Sequence, residues 1–131
     1  MVAITGETIV AHSDPNQDLL EIKRVIELYF DGTHYSDGDK MAEAFVENCQ
    51  IIGKTMRAER DNWIADVRKR TSPDSQGAPY DYRILSLEID DGIAVARLAV
   101  PINGMMFTDV ATLLKYDTGW RIATKVFFRK N

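Results

Sequence analysis

Residues 80–128 decide the fold, and they read YDYRILSLEIDDGIAVARLAVPINGMMFTDVATLLKYDTGWRIATKVFF. Apolar and β-branched residues dominate four runs in this stretch, which is typical of strands. The runs are Tyr80–Asp90, Ile93–Ile102, Phe107–Tyr116 and Trp120–Phe128. The breaks between them, at 91–92, 103–104 and 117–119, consist of Asp, Asn, Gly and Thr, and most of these types tolerate the positive φ of hairpin turns. The stretch therefore predicts an antiparallel meander.

Helices are predicted before the meander. Asp14 followed by Pro15 is a helix-start signal, and apolar residues at helical spacing extend the prediction to Tyr35. Acids around Asp37 predict the start of a second helix. A third helix is expected over about Arg60–Arg70, and a short strand over residues 50–53. Helices first and a meander afterwards indicate an α+β fold.

The domain organisation follows from length and composition. The chain has 131 residues, of which 45% are hydrophobic and 27% are charged, as in a single globular domain. We expect one domain over residues 15–131 and a flexible N-terminal arm over residues 1–14.

Composition also disfavours several functions. A net charge of −4 opposes nucleic-acid binding, and no apolar run approaches the length of a membrane span. Cys49 is the only cysteine, which favours a reducing cytoplasm. With two histidines and one cysteine, a zinc site is not expected, and the sequence contains no phosphate-binding loop. We therefore expect no cofactor.

Hairpin register predicts which side chains share the inner face of the sheet. Turns at 91–92, 103–104 and 117–119 would place Arg83 opposite Val100 and Ala111 opposite Lys125. Alternation then collects a mostly aliphatic face. Its members are Arg83, Leu85, Leu87, Ile89, Ala94, Ala96, Leu98, Val100, Ile102, Phe107, Asp109, Ala111, Leu113, Ala123, Lys125 and Phe127. Apolar walls interrupted by Arg83, Asp109 and Lys125 are typical of a ligand pocket.

The opposite face is also apolar. It would carry Tyr82, Ile84, Val95, Val110, Leu114, Trp120, Ile122, Val126 and Phe128. A second copy of the chain is the simplest cover for such a face, so we expect a homodimer. If the turn at 117–119 had two residues instead of three, the last strand would present the other face.

Two segments carry a family resemblance. The runs YSDGD (35–39), MAEAF (41–45) and NCQI (48–51), with DVATLLK (109–115) and GWRIATKVF (119–127), resemble nuclear transport factor 2-like proteins, in particular the lumazine-binding-like subgroup. SnoaL-like cyclases and ketosteroid isomerases are more distant relatives. The resemblance covers about residues 17–128. It implies a cone-shaped sheet bent around the first helix, with an opening at one end, and dimers formed through the outer sheet face.

The ketosteroid isomerases suggest roles for individual residues. They use a Tyr and a protonated Asp as an oxyanion hole, together with an Asp base. The resemblance puts the tyrosine at Tyr29, the late-strand acid at Asp109 and the base at Gly53, which has no side chain. It therefore implies two polarising groups and no base.

The candidate catalytic residues are Asp109, Tyr29 and His34. Asp109 with Lys125 or Arg83 could instead be a structural ion pair, Tyr29 a core tyrosine, and His34 a solvated residue at a helix end. The candidate ligand-binding residues are Arg83, Lys125, Phe107, Leu98 and Trp63, although Trp63 also suits the core.

These residues favour a small-molecule pocket for an apolar ligand with a polar or carbonyl end. Two alternatives stay open. One is a cofactor-free isomerase, dehydratase or cyclase, and the other is a protein-interaction module that acts through its outer surface.

Overall fold

A computed structural model of the chain describes residues 2–5, 8–11 and 14–130. Three helices precede the long strands of an α+β fold, as predicted from the sequence. The elements are β1 (Val2–Thr5), β2 (Thr8–Ala11), α1 (Pro15–Tyr35), α2 (Gly38–Ala44), β3 (Phe45–Ile52), β4 (Arg57–Glu59), α3 (Arg60–Lys69), β5 (Arg83–Asp90), β6 (Ile93–Ile102), β7 (Met105–Tyr116) and β8 (Gly119–Lys130).

The first two helices begin at the predicted caps. Asp14 Oδ1 accepts hydrogen bonds from the backbone N–H groups of Asn16 and Gln17, at 3.0 and 3.4 Å. Asp37 Oδ1 accepts in the same way from Asp39 and Lys40. These carboxylates satisfy N–H groups that have no partner within the helix, which fixes where each helix begins.

Six strands form one sheet in the order β4-β3-β8-β7-β6-β5. Strands β5 to β8 form the predicted meander, while β3 pairs with β8 in parallel, so the sheet is mixed. Strand β3 is longer than predicted, and β4 was not predicted. A separate hairpin pairs β1 with β2, which the sequence analysis also missed. The prediction of a flexible arm stays untested, and residues 1, 6, 7, 12 and 13 lie outside the described residues.

A bulge in β5 changes the face of its first residues. Ile89 pairs with Ala94 as expected, but the register shifts between Ile84 and Ser86. The extra residue is Leu85, so Arg83 pairs with Ala99 and not with Val100. Side chains before the bulge therefore switch faces. The prediction that Arg83 shares the inner face is wrong for this reason.

A second bulge acts on β8. Tyr116 pairs with Gly119, so the last turn has two residues and not three. The extra residue Ala123 then restores the predicted pairing, in which Ala111 lies opposite Lys125. Lys125 therefore keeps its predicted face. Trp120 and Ile122, which were assigned to the outer face, are instead fully buried.

The core lies between α1 and the sheet. Ile22, Val25, Ile26 and Tyr29 of α1 are buried against alternate residues of β6 to β8. None of the described helices has the length and apolar character needed to cross a membrane.

Polar contacts fasten the start of α1 to the last hairpin. Trp120 Nε1 donates to buried Asp18 Oδ1 at 3.0 Å, and Lys115 Nζ lies 2.9 Å from the same oxygen. The Trp120 backbone N–H donates to Glu21 Oε1 at 2.9 Å. These contacts hold α1 in a fixed position over the sheet.

Candidate functional site

A cavity of about 340 Å³ opens between α1, the end of α3 and the inner face of the sheet. Its walls combine aromatic and aliphatic side chains with a few polar ones. The lining residues are Tyr29, Thr33, Met56, Trp63, Asp66, Arg70, Ile102, Phe107, Asp109, Lys125 and Phe127. Such a volume and such a lining are typical of a site for a small organic molecule.

Three buried polar side chains meet at this cavity. The Tyr29 hydroxyl donates a hydrogen bond to Asp109 Oδ2, and Lys125 Nζ donates to the same hydroxyl at 3.2 Å. Tyr29 and Asp109 are each 1% exposed and Lys125 is 5% exposed. They come from α1, β7 and β8, so only the folded chain brings them together.

Burial shifts the pKa values of two of these groups. It raises the pKa of Tyr29 well above its usual value, and the neighbouring charge of Asp109 adds to the effect. Burial lowers the pKa of Lys125 to about 8, although Asp109 opposes this change. Tyr29 is therefore a neutral phenol at neutral pH, and Lys125 is close to its titration point.

Aromatic rings enclose the Lys125 ammonium. Its nitrogen lies 4.2 Å from the ring centroid of Trp63, 4.9 Å from that of Tyr29 and 5.4 Å from that of Phe127. Ring faces attract a cation, so they offset part of the cost of burying the charge.

The sequence analysis missed two polar residues of the cavity. Arg70 follows α3 directly, and its Nε is buried without a hydrogen-bond partner among the described residues. Burial lowers the pKa of Arg70. Thr33 Oγ1 is also buried, and it makes no hydrogen bond of good geometry to the residues that the structure describes. The Thr33 hydroxyl is nevertheless close enough to lower the pKa of Tyr29 slightly. A buried donor without a partner costs free energy unless a ligand or water satisfies it.

Helical spacing could have revealed both of these residues. Trp63 and Arg70 are seven positions apart within the predicted helix, and Tyr29 and Thr33 are four apart on one face of α1. The sequence analysis assigned neither residue to the site.

The hydrogen bonds that these side chains already make limit which of them can donate to a ligand. The Tyr29 hydroxyl already donates its one proton in a hydrogen bond to Asp109, so it has no second proton for a carbonyl oxygen. Lys125 makes one hydrogen bond within the described residues, and its ammonium carries three donors. Within the part of the chain that the structure describes, Lys125, Arg70 and the Thr33 hydroxyl are therefore the donors available to a ligand.

Three of the predicted ligand-binding residues, Lys125, Trp63 and Phe107, lie in the cavity wall. Leu98 does not line it. Leu98 lies opposite Asp109 on β6 and is fully buried in the core. That Lys125, Trp63 and Phe107 contact a ligand stays a prediction.

Arg83 lies outside the cavity because of the β5 bulge. Its side chain is 69% exposed, and its Nε lies 3.2 Å from Asp81 Oδ1. It lines a separate pocket of about 340 Å³ with Leu85 and Met106, and Lys125 is not among the residues that line that pocket.

His34 is neither in the cavity nor solvated. It is 3% exposed, and its Nδ1 lies 2.8 Å from the Tyr82 hydroxyl. Rings of Tyr35, Tyr80 and Tyr82 pack around it. The structure thus separates His34 from the groups that were expected to share its chemistry.

The position that the isomerases use for a base holds no acid here. A Cβ added to Gly53 would collide with the ring of Phe127, so the ring occupies that space.

Burial raises the pKa of the Cys49 thiol to about 11, which makes it a poor nucleophile. Within the described part of the chain, no cluster of three His, Cys, Asp or Glu side chains could hold a metal ion.

Comparison with known proteins identifies the fold and the family. A family model described as "Putative lumazine-binding" matches residues 17–128. A nuclear transport factor 2-like protein of unknown function from Shewanella baltica is 22% identical, with a TM-score of 0.81 over 91% of this chain and 98% of the other. One from Silicibacter pomeroyi is 20% identical, with a TM-score of 0.76 over 90% and 100%.

A third such protein, from Methylobacillus flagellatus, is 23% identical, with a TM-score of 0.73 over 92% of this chain and 98% of the other. No curated protein matches the chain. At these identities the structures establish the fold alone, while the family model covers most of the sequence. The chain therefore belongs to the lumazine-binding-like family, on a nuclear transport factor 2-like fold.

Proposed function

We propose that this protein binds a small, mainly apolar molecule through a carbonyl or carboxylate oxygen at Lys125. The observation that carries the proposal is a buried ammonium in the wall of an apolar cavity, which uses one of its three donors within the described residues. The family suggests a ligand-binding pocket without specifying the ligand.

The apolar part of the ligand is expected to contact Trp63, Phe107 and Phe127. Phe107 and Phe127 pack edge to face with centroids 5.8 Å apart, which forms a firm aromatic wall. Because Arg70 Nε also has no hydrogen-bond partner among the described residues, a second oxygen on the ligand would find a donor there if the side chain shifted.

A matched pair of probes tests the proposal. Acetophenone and ethylbenzene share a carbon skeleton and differ in one carbonyl oxygen. We expect acetophenone to bind about tenfold more tightly, since a hydrogen bond from a charged donor contributes about 1.5–3 kcal/mol. Chemical-shift titration measures both affinities.

The control for this test is Lys125→Met. It should reduce the preference for acetophenone and leave ethylbenzene binding nearly unchanged. Equal affinity of the wild-type protein for both probes, or binding of neither, would contradict the proposal. Native mass spectrometry of the purified protein would identify any ligand that remains bound.

Acid–base catalysis is the second candidate function, and the buried Asp109 carboxylate in the cavity wall favours it. Asp109 could move a proton of a bound carbonyl compound once Tyr29 rotates away. Asp109→Asn should abolish turnover if this is correct, whereas binding of an apolar ligand such as ethylbenzene should survive the change.

We also propose that a second copy covers the outer sheet face, as the sequence predicts. Exposed apolar side chains cluster there. They are Leu85, Val95, Met106, Val110, Val126 and Phe128, each between 36% and 55% exposed. Their removal from water in a dimer would be favourable.

A further inference from the structure

Lys125 is not held in a structural ion pair. No carboxylate oxygen of the described residues lies within 4.0 Å of its nitrogen, and its one hydrogen bond goes to Tyr29. Asp109, whose charge raises the pKa of Lys125, is engaged by the Tyr29 hydroxyl instead. The amine therefore faces the cavity without a partner that would lock it in the charged form.

Groups from four elements face this amine. Asp109 on β7 and Cys49 on β3 favour the ammonium, whereas Arg70 after α3 and burial favour the neutral amine. Tyr29 on α1 is a neutral phenol and contributes a hydrogen-bonding oxygen. Burial is the largest of these influences and leaves the pKa of Lys125 at about 8. Near that pH about half of the protein carries a neutral amine, against about one in several hundred for an ordinary lysine.

We propose that Lys125 is a nucleophile that forms an imine with an aldehyde or ketone bound in the cavity. The geometry supplies a buried amine at an open cavity, apolar walls for the carbon skeleton, and a phenol–carboxylate pair beside the amine. This inference rests on the proposed function and specifies the ligand as a carbonyl compound.

The bond changes balance without a redox partner. The neutral nitrogen of Lys125 attacks the carbonyl carbon, one C–N bond forms, and the π electrons move to oxygen. The new C–NH2⁺ group then passes one of its protons to that oxygen through a water molecule, because the Tyr29 proton is held by Asp109. The carbinolamine hydroxyl then takes a proton from solvent in the open cavity and leaves as water, while the nitrogen lone pair forms the C=N bond of a protonated imine. Its positive charge replaces the ammonium, so Asp109 keeps a counter-ion.

Exclusion of water from the cluster favours the imine. Water is a product of its formation and the reagent of its hydrolysis, and Tyr29, Asp109 and Lys125 are each no more than 5% exposed. An exposed lysine such as Lys54 or Lys130 offers neither this shelter nor an adjacent phenol.

Reductive trapping tests the inference on the wild-type protein. Benzaldehyde with sodium cyanoborohydride at pH about 8 converts an imine into a stable benzylamine. Peptide mapping by mass spectrometry then gives the rate at each amine separately, including the N-terminal one. We expect Lys125 to react at least about tenfold faster than Lys54 or Lys130, because a larger fraction of it is neutral.

Two variants serve as controls. Lys125→Met should remove the fast site, and Lys54→Met should leave it intact. A Lys125 rate equal to or below that of the exposed lysines would overturn the inference. If acetophenone still binds in preference to ethylbenzene in that case, the binding function stands and only the imine fails; if neither probe binds, both fail.

Discussion

The Tyr29 hydroxyl and the Asp109 carboxylate, 80 positions apart in the chain, are joined by a hydrogen bond in the buried interior. This bond decides the roles of both groups. It occupies the only proton of Tyr29, and it holds Asp109 near Lys125 as a fixed negative charge. The polar cluster therefore works as a unit in which Lys125 uses one of its three donors within the described part of the chain.

The first prediction concerns the charge of Asp109. Because Asp109 stabilises the ammonium, Asp109→Asn should lower the pKa of Lys125 further below about 8. The measurement is an NMR titration of the Lys125 side chain in both proteins. Asp81→Asn, which removes an exposed carboxylate next to Arg83, is the matched control and should leave the titration unchanged. A pKa that rises in Asp109→Asn would show that the carboxylate does not act on Lys125.

A second prediction concerns the anchor of α1. Asp18→Ala leaves Trp120 Nε1 without a partner, and an unsatisfied buried donor costs about 1–3 kcal/mol. The free energy of unfolding, measured with urea, should fall by that amount. Asp39→Ala is the control, since its ion pair with Arg68 is exposed and should contribute less than about 1 kcal/mol. If the free energy of unfolding fell equally in both variants, the buried contacts of Asp18 would contribute no more than the exposed Asp39–Arg68 ion pair.

The sequence was sufficient for the elements with strong local signals. Helix α1 begins and ends where the Asp14 cap and the apolar period place it, and β6 has the predicted bounds. The turn at 103–104 is also as predicted, with positive φ at Asn103 and Gly104. In these segments local chemistry and the tertiary fold favour the same conformation.

The bulges could not be predicted from alternation alone. An extra residue at Leu85 or Ala123 costs little locally, and the reason for it is tertiary. The bulge at Ala123 lets Trp120 and Ile122 enter the core while Lys125 still faces the cavity. Burial of two large apolar side chains outweighs a regular ladder. The large apolar side chains of Trp120 and Ile122, on a face expected to lie outside the core, were the sequence signal for this bulge.

A third prediction concerns the outer sheet face. If a second copy covers it, Val126→Glu should place two charges in an apolar interface and shift the protein to a monomer. Leu20→Glu is the control, because Leu20 is 64% exposed on α1 and lies outside this face. Sedimentation velocity over a range of concentrations measures both. A wild-type protein that stays monomeric at high micromolar concentration would exclude the dimer.

The last prediction concerns pH and follows from the buried amine. The pKa of Lys125 is lowered from 10.5 to about 8 on folding. Between these values the unfolded chain binds more protons at this site than the folded protein does, so stability rises with pH. Burial of the ammonium is most costly below about pH 8, and this cost disappears towards pH 10.5.

Comparison with Lys125→Met isolates this effect. Between about pH 8 and pH 9.5, the free energy of unfolding of the wild-type protein should rise by about 1–2 kcal/mol relative to that of the variant. The tyrosines with raised pKa values, Tyr29, Tyr80 and Tyr82, oppose this trend only at higher pH, and they do so in both proteins. Urea unfolding at each pH gives the difference. Parallel stability curves for the two proteins would mean that Lys125 has an ordinary pKa in the fold, and the neutral amine that imine formation requires would then be scarce.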